Sequence, residues 1–263
     1  MPPLRTLPDT YARRLPLGAP HYMAYVGAPA EYDLRGGAQF ALLFALGLRD
    51  HHRLLDFGCG SLRFGRLAIP YLQPGNYVGL EPNTWLVEDG IERQIGRDQI
   101  ALKRPVFHSF DDFRADNCGA GFDFIVAQSI FSHAGRAIIA TALESFTQAL
   151  AADGMALATF ALTREGKPPS DDSVGWVYPG GVRYAPETVD SMIADAGLVG
   201  RALPWFHPRQ TWYALALDRE RLPPPEYDVF LQGAVLNTPI WAASTATRQS
   251  ASNPKGTQPA PPG

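Results

Sequence analysis

The stretch Leu54–Leu67, LLDFGCGSLRFGRL, constrains the fold of this chain more than any other. A short apolar run over Arg53–Asp56 enters a Gly58–Cys59–Gly60 turn. Apolar residues then recur at helical spacing, at Phe64, Leu67, Ala68, Tyr71 and Leu72. The pattern changes from a buried strand to an amphipathic helix across one glycine turn. Ser61 is of the residue type that caps such a helix. A strand passing straight into a helix is half of a βαβ unit, which needs a parallel neighbour strand and helices over the sheet.

The same alternation continues downstream. Pro74–Gly75–Asn76 reads as a turn, Tyr77–Leu80 as a second buried strand ending in Glu81, and Trp85–Ile95 as a helix stopped by Gly96. Pro105–Ser109 is a short third strand. Phe122–Ala127 (FDFIVA) is apolar on both faces, as a central parallel strand must be. Ile139, Ala142, Leu143, Phe146 and Leu150 mark the next helix, closed by Asp153–Gly154, and Met155–Leu162 the next strand. A polar, Gly- and Pro-rich insert over 163–184 interrupts the pattern. Val189, Met192, Ile193 and Ala196 mark a last helix, with Gly197 as its stop. Gly200–Phe206 and Thr211–Leu217, joined by His207–Gln210, read as a hairpin. The expected fold is α/β: a doubly wound, Rossmann-like sheet, mostly parallel, with an antiparallel strand from the C-terminal hairpin. Residues 1–50 form a leader or lid with a helix over Ala38–Leu48. Residues 51–221 form the α/β domain and 222–241 an extension. Residues 242–263 have the composition of a disordered tail.

Composition narrows the function. Of 263 residues 46% are hydrophobic and 19% charged, with a net charge of −3. No run of Lys or Arg forms a basic stripe, so no nucleic-acid partner is expected. Cys59 and Cys118 are too few for a disulfide scaffold and lack metal-ligand spacing. No metal is expected. Met1–Pro20 holds no apolar stretch of signal-peptide length, and nowhere do roughly 18 apolar residues run uninterrupted. A cytoplasmic protein without membrane contact is the expectation.

In an open parallel sheet, ligands bind beyond the carboxyl ends of the strands. The Gly58–Gly60 turn lets the backbone approach a ligand closely, and a helix start offers unpaired N–H groups. A dinucleotide fingerprint needs Gly or Ala at position 63, where this chain has Arg, so a diphosphate is disfavoured. Glu81 ends the second strand about 20 residues on, where a carboxylate can accept from a ribose diol. A nucleoside without a diphosphate, such as S-adenosylmethionine, fits both. Asp56 also suits a turn cap, and Glu81 a solvated strand end.

These segments resemble the class I S-adenosylmethionine-dependent methyltransferases. LLDFGCGSLRFGRL is similar to their motif I, YVGLEPN to their acidic motif II, and FDFIVAQSIFSHAG to their central-strand motif. The resemblance runs from Leu54 to Leu217 and is closest to a bacterial branch with GCGSLR. Leu62 departs from it, standing where many members have a third glycine. The resemblance implies that Asp56, Gly58, Cys59 and Gly60 line the methionine and ribose end of the cofactor and that Glu81 holds the ribose. It places Pro82 on the adenine and Asp111 (or equally Asp112), beside Phe110, at the adenine amino group. Ala127 and Gln128 lie under the cofactor. It implies a methyltransferase acting on a small molecule, with O-methylation the first expectation. A nicotinamide-dependent oxidoreductase and a non-catalytic cofactor-binding module remain the alternatives.

Methyl transfer to an oxygen or nitrogen often needs a base, and histidine is the usual one. His133, after the central strand, and His207, in the hairpin turn, are the candidates. His133 also suits a backbone-bonded helix start, and His207 a plain turn residue. Trp176, Tyr178 and Arg183, in the insert, are the candidate substrate contacts: aromatic rings for a flat molecule and a guanidinium for an acidic group.

Overall fold

The computed structural model describes residues 3–233. Its sheet has seven strands: β1 Leu54–Phe57, β2 Tyr77–Leu80, β3 Val106–His108, β4 Phe122–Ala127, β5 Leu150–Phe160, β6 Val199–Leu203 and β7 Thr211–Ala216. They lie in the order β3-β2-β1-β4-β5-β7-β6. β7 runs antiparallel to both its neighbours, while β1 through β5 pair in parallel. The hairpin therefore inserts its second strand beside β5 and leaves its first at the edge.

Helices α1 Asp9–Ala12 and α2 Tyr22–Tyr25 are single turns. Longer ones follow: α3 Tyr32–Ala45, α4 Gly65–Tyr71, α5 Thr84–Gly90, α6 Arg97–Lys103, α7 Arg136–Ala149 and α8 Pro186–Asp195, then the short α9 Asp228–Gly233. They form two layers because strand side chains alternate between faces. Leu55, Phe57, Ile125 and Ala127 join Ile139, Phe146, Val189 and Ile193 of α7 and α8 in one core. Leu54, Tyr77, Phe124 and Val126 join Leu42, Leu43, Ala68 and Ile69 of α3 and α4 in the other. Among the described residues no helix is long and apolar enough to cross a membrane.

Several boundaries differ from expectation. α3 starts at Tyr32, not Ala38, and ends at Ala45. Its first turns hold Gly36 and Gly37, poor helix formers. Tertiary contacts override that, with the Tyr32 hydroxyl donating to the Ser61 carbonyl at 2.9 Å. Ser61 caps nothing: α4 begins at Gly65, and the Ser61 hydroxyl lies 3.2 Å from that of Tyr32. α6 was not expected, because Gly96 ends α5 and its wider last turn and a new helix starts at once. β5 starts at Leu150 and runs through Asp153–Gly154, with a register shift where it meets β4. A Cβ on Gly154 would sit 2.6 Å from the Phe122 carbonyl oxygen, so the glycine there serves strand packing rather than helix termination. β6 ends at Leu203, short of Phe206. Of the extension, Leu231 is buried and Tyr227 donates to the Ala45 carbonyl at 3.3 Å. The end of the extension and the tail at 242–263 lie outside the described residues.

Candidate active site

The sheet order reverses between β1 and β4, which leaves a crevice at their carboxyl ends. A cavity of about 360 Å³ occupies it, lined by Asp56, Gly58, Cys59, Gly60, Glu81 and Gln128 among others. Its roof comes from the leader (Tyr25, Val26, Gly27) and the insert (Trp176, Tyr178). These two segments touch: Tyr178 donates its hydroxyl to the Tyr25 carbonyl, and their rings lie 5.2 Å apart.

The glycine turn is fixed to the end of β2, with Gly58 and Cys59 N–H groups donating to the Leu80 carbonyl at 2.8 and 3.0 Å. Gly58 and Gly60 adopt φ of +80° and +53°, which disfavours any side chain. A Cβ would also meet Ile130 at 2.2 Å from the first and Val26 at 2.7 Å from the second. Leu62 has a left-handed φ of +59° and is fully buried. That backbone costs about 1–2 kcal/mol, and burying a leucine returns about 1.5–3 kcal/mol. Burial against Cys59, Val87 and Ile91 therefore holds a glycine-type conformation without a glycine.

Glu81 points across the strand ends to this turn. One carboxylate oxygen accepts from Gly60 N–H at 3.1 Å, the other from the backbone and side-chain nitrogens of Asn83, both at 2.9 Å. Burial raises its pKa, and these three donors oppose the rise. Asp56 is buried and accepts from the Tyr77 hydroxyl at 2.6 Å, not from the turn backbone. Burial pushes its pKa up to about 7, against the pull of Tyr77 and the Arg63 guanidinium.

Arg63, which in the sequence speaks against a diphosphate site, is folded into the cavity wall. Its Nη1 donates to the Val26 carbonyl at 2.7 Å and its Nη2 to Gln128 at 3.4 Å, while Nε is buried without a partner. Gly36 makes the room: a Cβ there would lie 2.4 Å from the Arg63 carbonyl oxygen. Burial, with Arg35 nearby, lowers the Arg63 pKa to about 10, so it stays cationic at neutral pH.

The two histidines fare differently. His133 lines the cavity. Its Nδ1 bonds the Gly180 carbonyl, which can only accept, so Nδ1 carries the proton and Nε2 keeps its lone pair. Burial lowers its pKa, so the ring is neutral at pH 7. His207 does not line this cavity but a narrow crevice behind it, with Arg35, Gln39 and Gln128. Its Nδ1 accepts from Arg209 and Gln210 N–H at 3.3 and 2.9 Å. Burial and the charges of Arg35, Arg63 and Arg209 drive its pKa down to about 2. So weak a base has little use for a substrate proton.

Trp176, Tyr178 and Arg183 line the cavity beside His133, with the Trp176 and Tyr178 rings stacked at 6.3 Å. Three cofactor candidates stay off the cavity wall. Pro82 is exposed beside Glu81. Asp111 is exposed on the loop after β3, as is Asp112, which a local turn uses to accept from Arg114 N–H at 3.0 Å. Ala127 is fully buried in the core on the opposite face of β4. Sequence reasoning missed Arg35, Gln39 and Gln210 as lining residues, because the first two lie in a leader with no recognisable motif. Ser129 was also missed; its φ of +63° is the kind of strain that gathers at functional sites.

A family model described as a methyltransferase domain matches residues 55–156. Among solved structures, the magnesium protoporphyrin IX methyltransferase from Synechocystis with bound SAH shares 12% identity over 72% of this chain and 84% of its own, with a TM-score of 0.52. A putative O-methyltransferase from Nostoc punctiforme shares 18% over 75% and 60%, with a TM-score of 0.55. A glycopeptide N-methyltransferase complexed with (S)-adenosyl-L-methionine shares 12% over 70% and 94%, with a TM-score of 0.54. At these identities the likeness establishes the fold. Among curated proteins, none matches the sequence.

Proposed function

We propose that this chain, whose residues 55–156 match a model described as a methyltransferase domain, transfers a methyl group from S-adenosylmethionine to a small molecule, by O-methylation. The observation that carries this reading is the placement of the Glu81 carboxylate, aimed at the Gly58–Gly60 turn across the mouth of a cavity of about 360 Å³. A ribose diol entering the cavity would donate to that carboxylate, which the turn holds in place through Gly60 N–H. The turn itself has Arg63 where a diphosphate site needs a small residue. Asp56, Gln128 and the partnerless Arg63 Nε supply polar groups for an amino-acid end. When bound, the cofactor supplies an electrophilic methyl on a sulfonium. The chain's task is then to align the acceptor, exclude water and take a proton. Tyr25, Trp176 and Tyr178 close the cavity on the side away from the sheet. His133 Nε2 takes the acceptor proton.

Calorimetric titration tests this. S-adenosylmethionine and S-adenosylhomocysteine should bind with micromolar affinity. Glu81→Gln removes the charge from the diol contact and should weaken both by about 10- to 100-fold, the range expected for charge-assisted hydrogen bonds. Absence of heat with either ligand, or thermal stabilisation by NAD instead, would overturn the reading.

A further inference from the structure

The cavity's charge is at odds with that of the whole chain. The chain carries a net −3, yet the side chains lining the cavity include six cations, Arg35, Arg63, Arg164, Lys167, Arg183 and Arg209, against two acids, Asp56 and Glu81. Both acids sit at the cofactor cradle, and Asp56 is held partly protonated near neutral pH. Arg35 and Arg209 share a single carboxylate, Glu31, which bonds both. Arg63, Arg164, Lys167 and Arg183 have no carboxylate partner among the described residues.

S-adenosylmethionine does not call for this surplus. It carries a sulfonium and an ammonium against one carboxylate, a net positive charge. Even with Arg63 assigned to that carboxylate, three cations remain on the insert, around the mouth. Bringing a cationic cofactor into a positive cavity is unfavourable unless something else supplies negative charge. The same wall offers an exposed aromatic surface: Trp176 is 44% exposed and stacks on Tyr178. A large exposed aromatic ring on a cavity wall is suited to a flat partner.

On the reading that this is a methyltransferase, we propose that its acceptor is a flat, anionic small molecule. Its ring lies on Trp176 and Tyr178, and its acidic group, a carboxylate or a phosphate ester, pairs with Arg164, Lys167 and Arg183.

The test uses the full chain saturated with S-adenosylhomocysteine and three probes: 4-hydroxybenzoate, phenyl phosphate and the neutral 4-hydroxybenzamide. Binding is read by calorimetry at low and high salt. One or both anions should bind at least about tenfold tighter than the amide, with a preference that shrinks as salt screens the pairs. The tighter anion identifies the acidic group. The combined variant Arg164→Gln, Lys167→Gln, Arg183→Gln makes no ion pair to lose and should fold. It should lose the anion preference and keep the affinity for S-adenosylhomocysteine. Equal binding of the amide, no binding of either anion, or a variant that loses the cofactor product instead overturns the proposal. Failure of S-adenosylhomocysteine to bind the unmodified chain would strike the methyltransferase reading itself.

Discussion

At the scale of single residues, the distinction that matters is which histidine keeps a usable lone pair. His133 has its proton fixed on Nδ1 by the Gly180 carbonyl, and burial keeps the ring neutral. His207 has its Nδ1 lone pair taken by two backbone N–H groups. His133→Asn keeps a donor near Gly180 and removes the base. General-base loss typically costs 10²–10⁴-fold in rate, so kcat should fall by about that much while S-adenosylmethionine affinity, measured separately, stays put. The low-pH limb of the kcat profile should also vanish, which a merely structural role would not cause. Equal losses in kcat and cofactor affinity would make His133 a packing residue. Gly58, Gly60 and Glu81 were legible as cavity residues from their place at strand ends, whereas the sequence offered His133 and His207 alike. That Arg63 would line the cavity was not legible, because a sequence position does not say whether a neighbour has made room, and here Gly36 has.

At the scale of elements, the site depends on α3 lying flat against the glycine turn. Gly36 is where they touch, with its missing Cβ 2.4 Å from the Arg63 carbonyl oxygen. Gly36→Ala pits two effects against each other. Alanine improves helix propensity by about 1 kcal/mol, whereas overpacking against backbone costs about 1–3 kcal/mol. The carbonyl belongs to a turn already fixed at Leu80, so it cannot yield easily and the clash wins. Urea denaturation should show a net loss of up to about 2 kcal/mol, and cofactor affinity should fall too as Arg63 shifts. A stabilised variant would mean that the contact is looser than described. The same contact explains why the start of α3 was not legible. Its early turns hold two glycines and owe their helicity to Tyr32, Arg35 and Gln39 being buried against the domain. β1, β2 and β4 were legible because continuous apolar runs bounded by turns leave few alternatives. β5 was extended past its expected start because Asp153–Gly154 reads as a loop when its pairing with β4 cannot be seen.

For the molecule as a whole, the buried titratable groups set up opposing pH dependences of stability. Asp56 has a folded pKa of about 7, well above its ordinary value of 3.8. The folded state therefore binds its proton more tightly, and stability from this group is present at low pH and lost as pH rises towards 7. His207 has a folded pKa of about 2, far below 6.5. The unfolded chain binds that proton more tightly, so stability from His207 is present above 6.5 and lost as pH falls. His21 and His133, lowered by burial, act in the direction of His207, and Glu81, raised by burial, in that of Asp56. Between about pH 4.5 and 6.5 each group changes stability by up to about 1.4 kcal/mol per pH unit, with opposite signs, so the unmodified chain should show a shallow profile there. Two variants separate the components. Asp56→Asn keeps the acceptor for Tyr77 and removes the acid's titration, so its stability in urea should fall as pH drops from 6.5 to 4.5. His207→Asn keeps an acceptor for the Arg209 and Gln210 N–H groups, so its stability should instead rise over the same interval. Parallel profiles for the two variants would show that neither group is as buried against its charged neighbours as the fold places it.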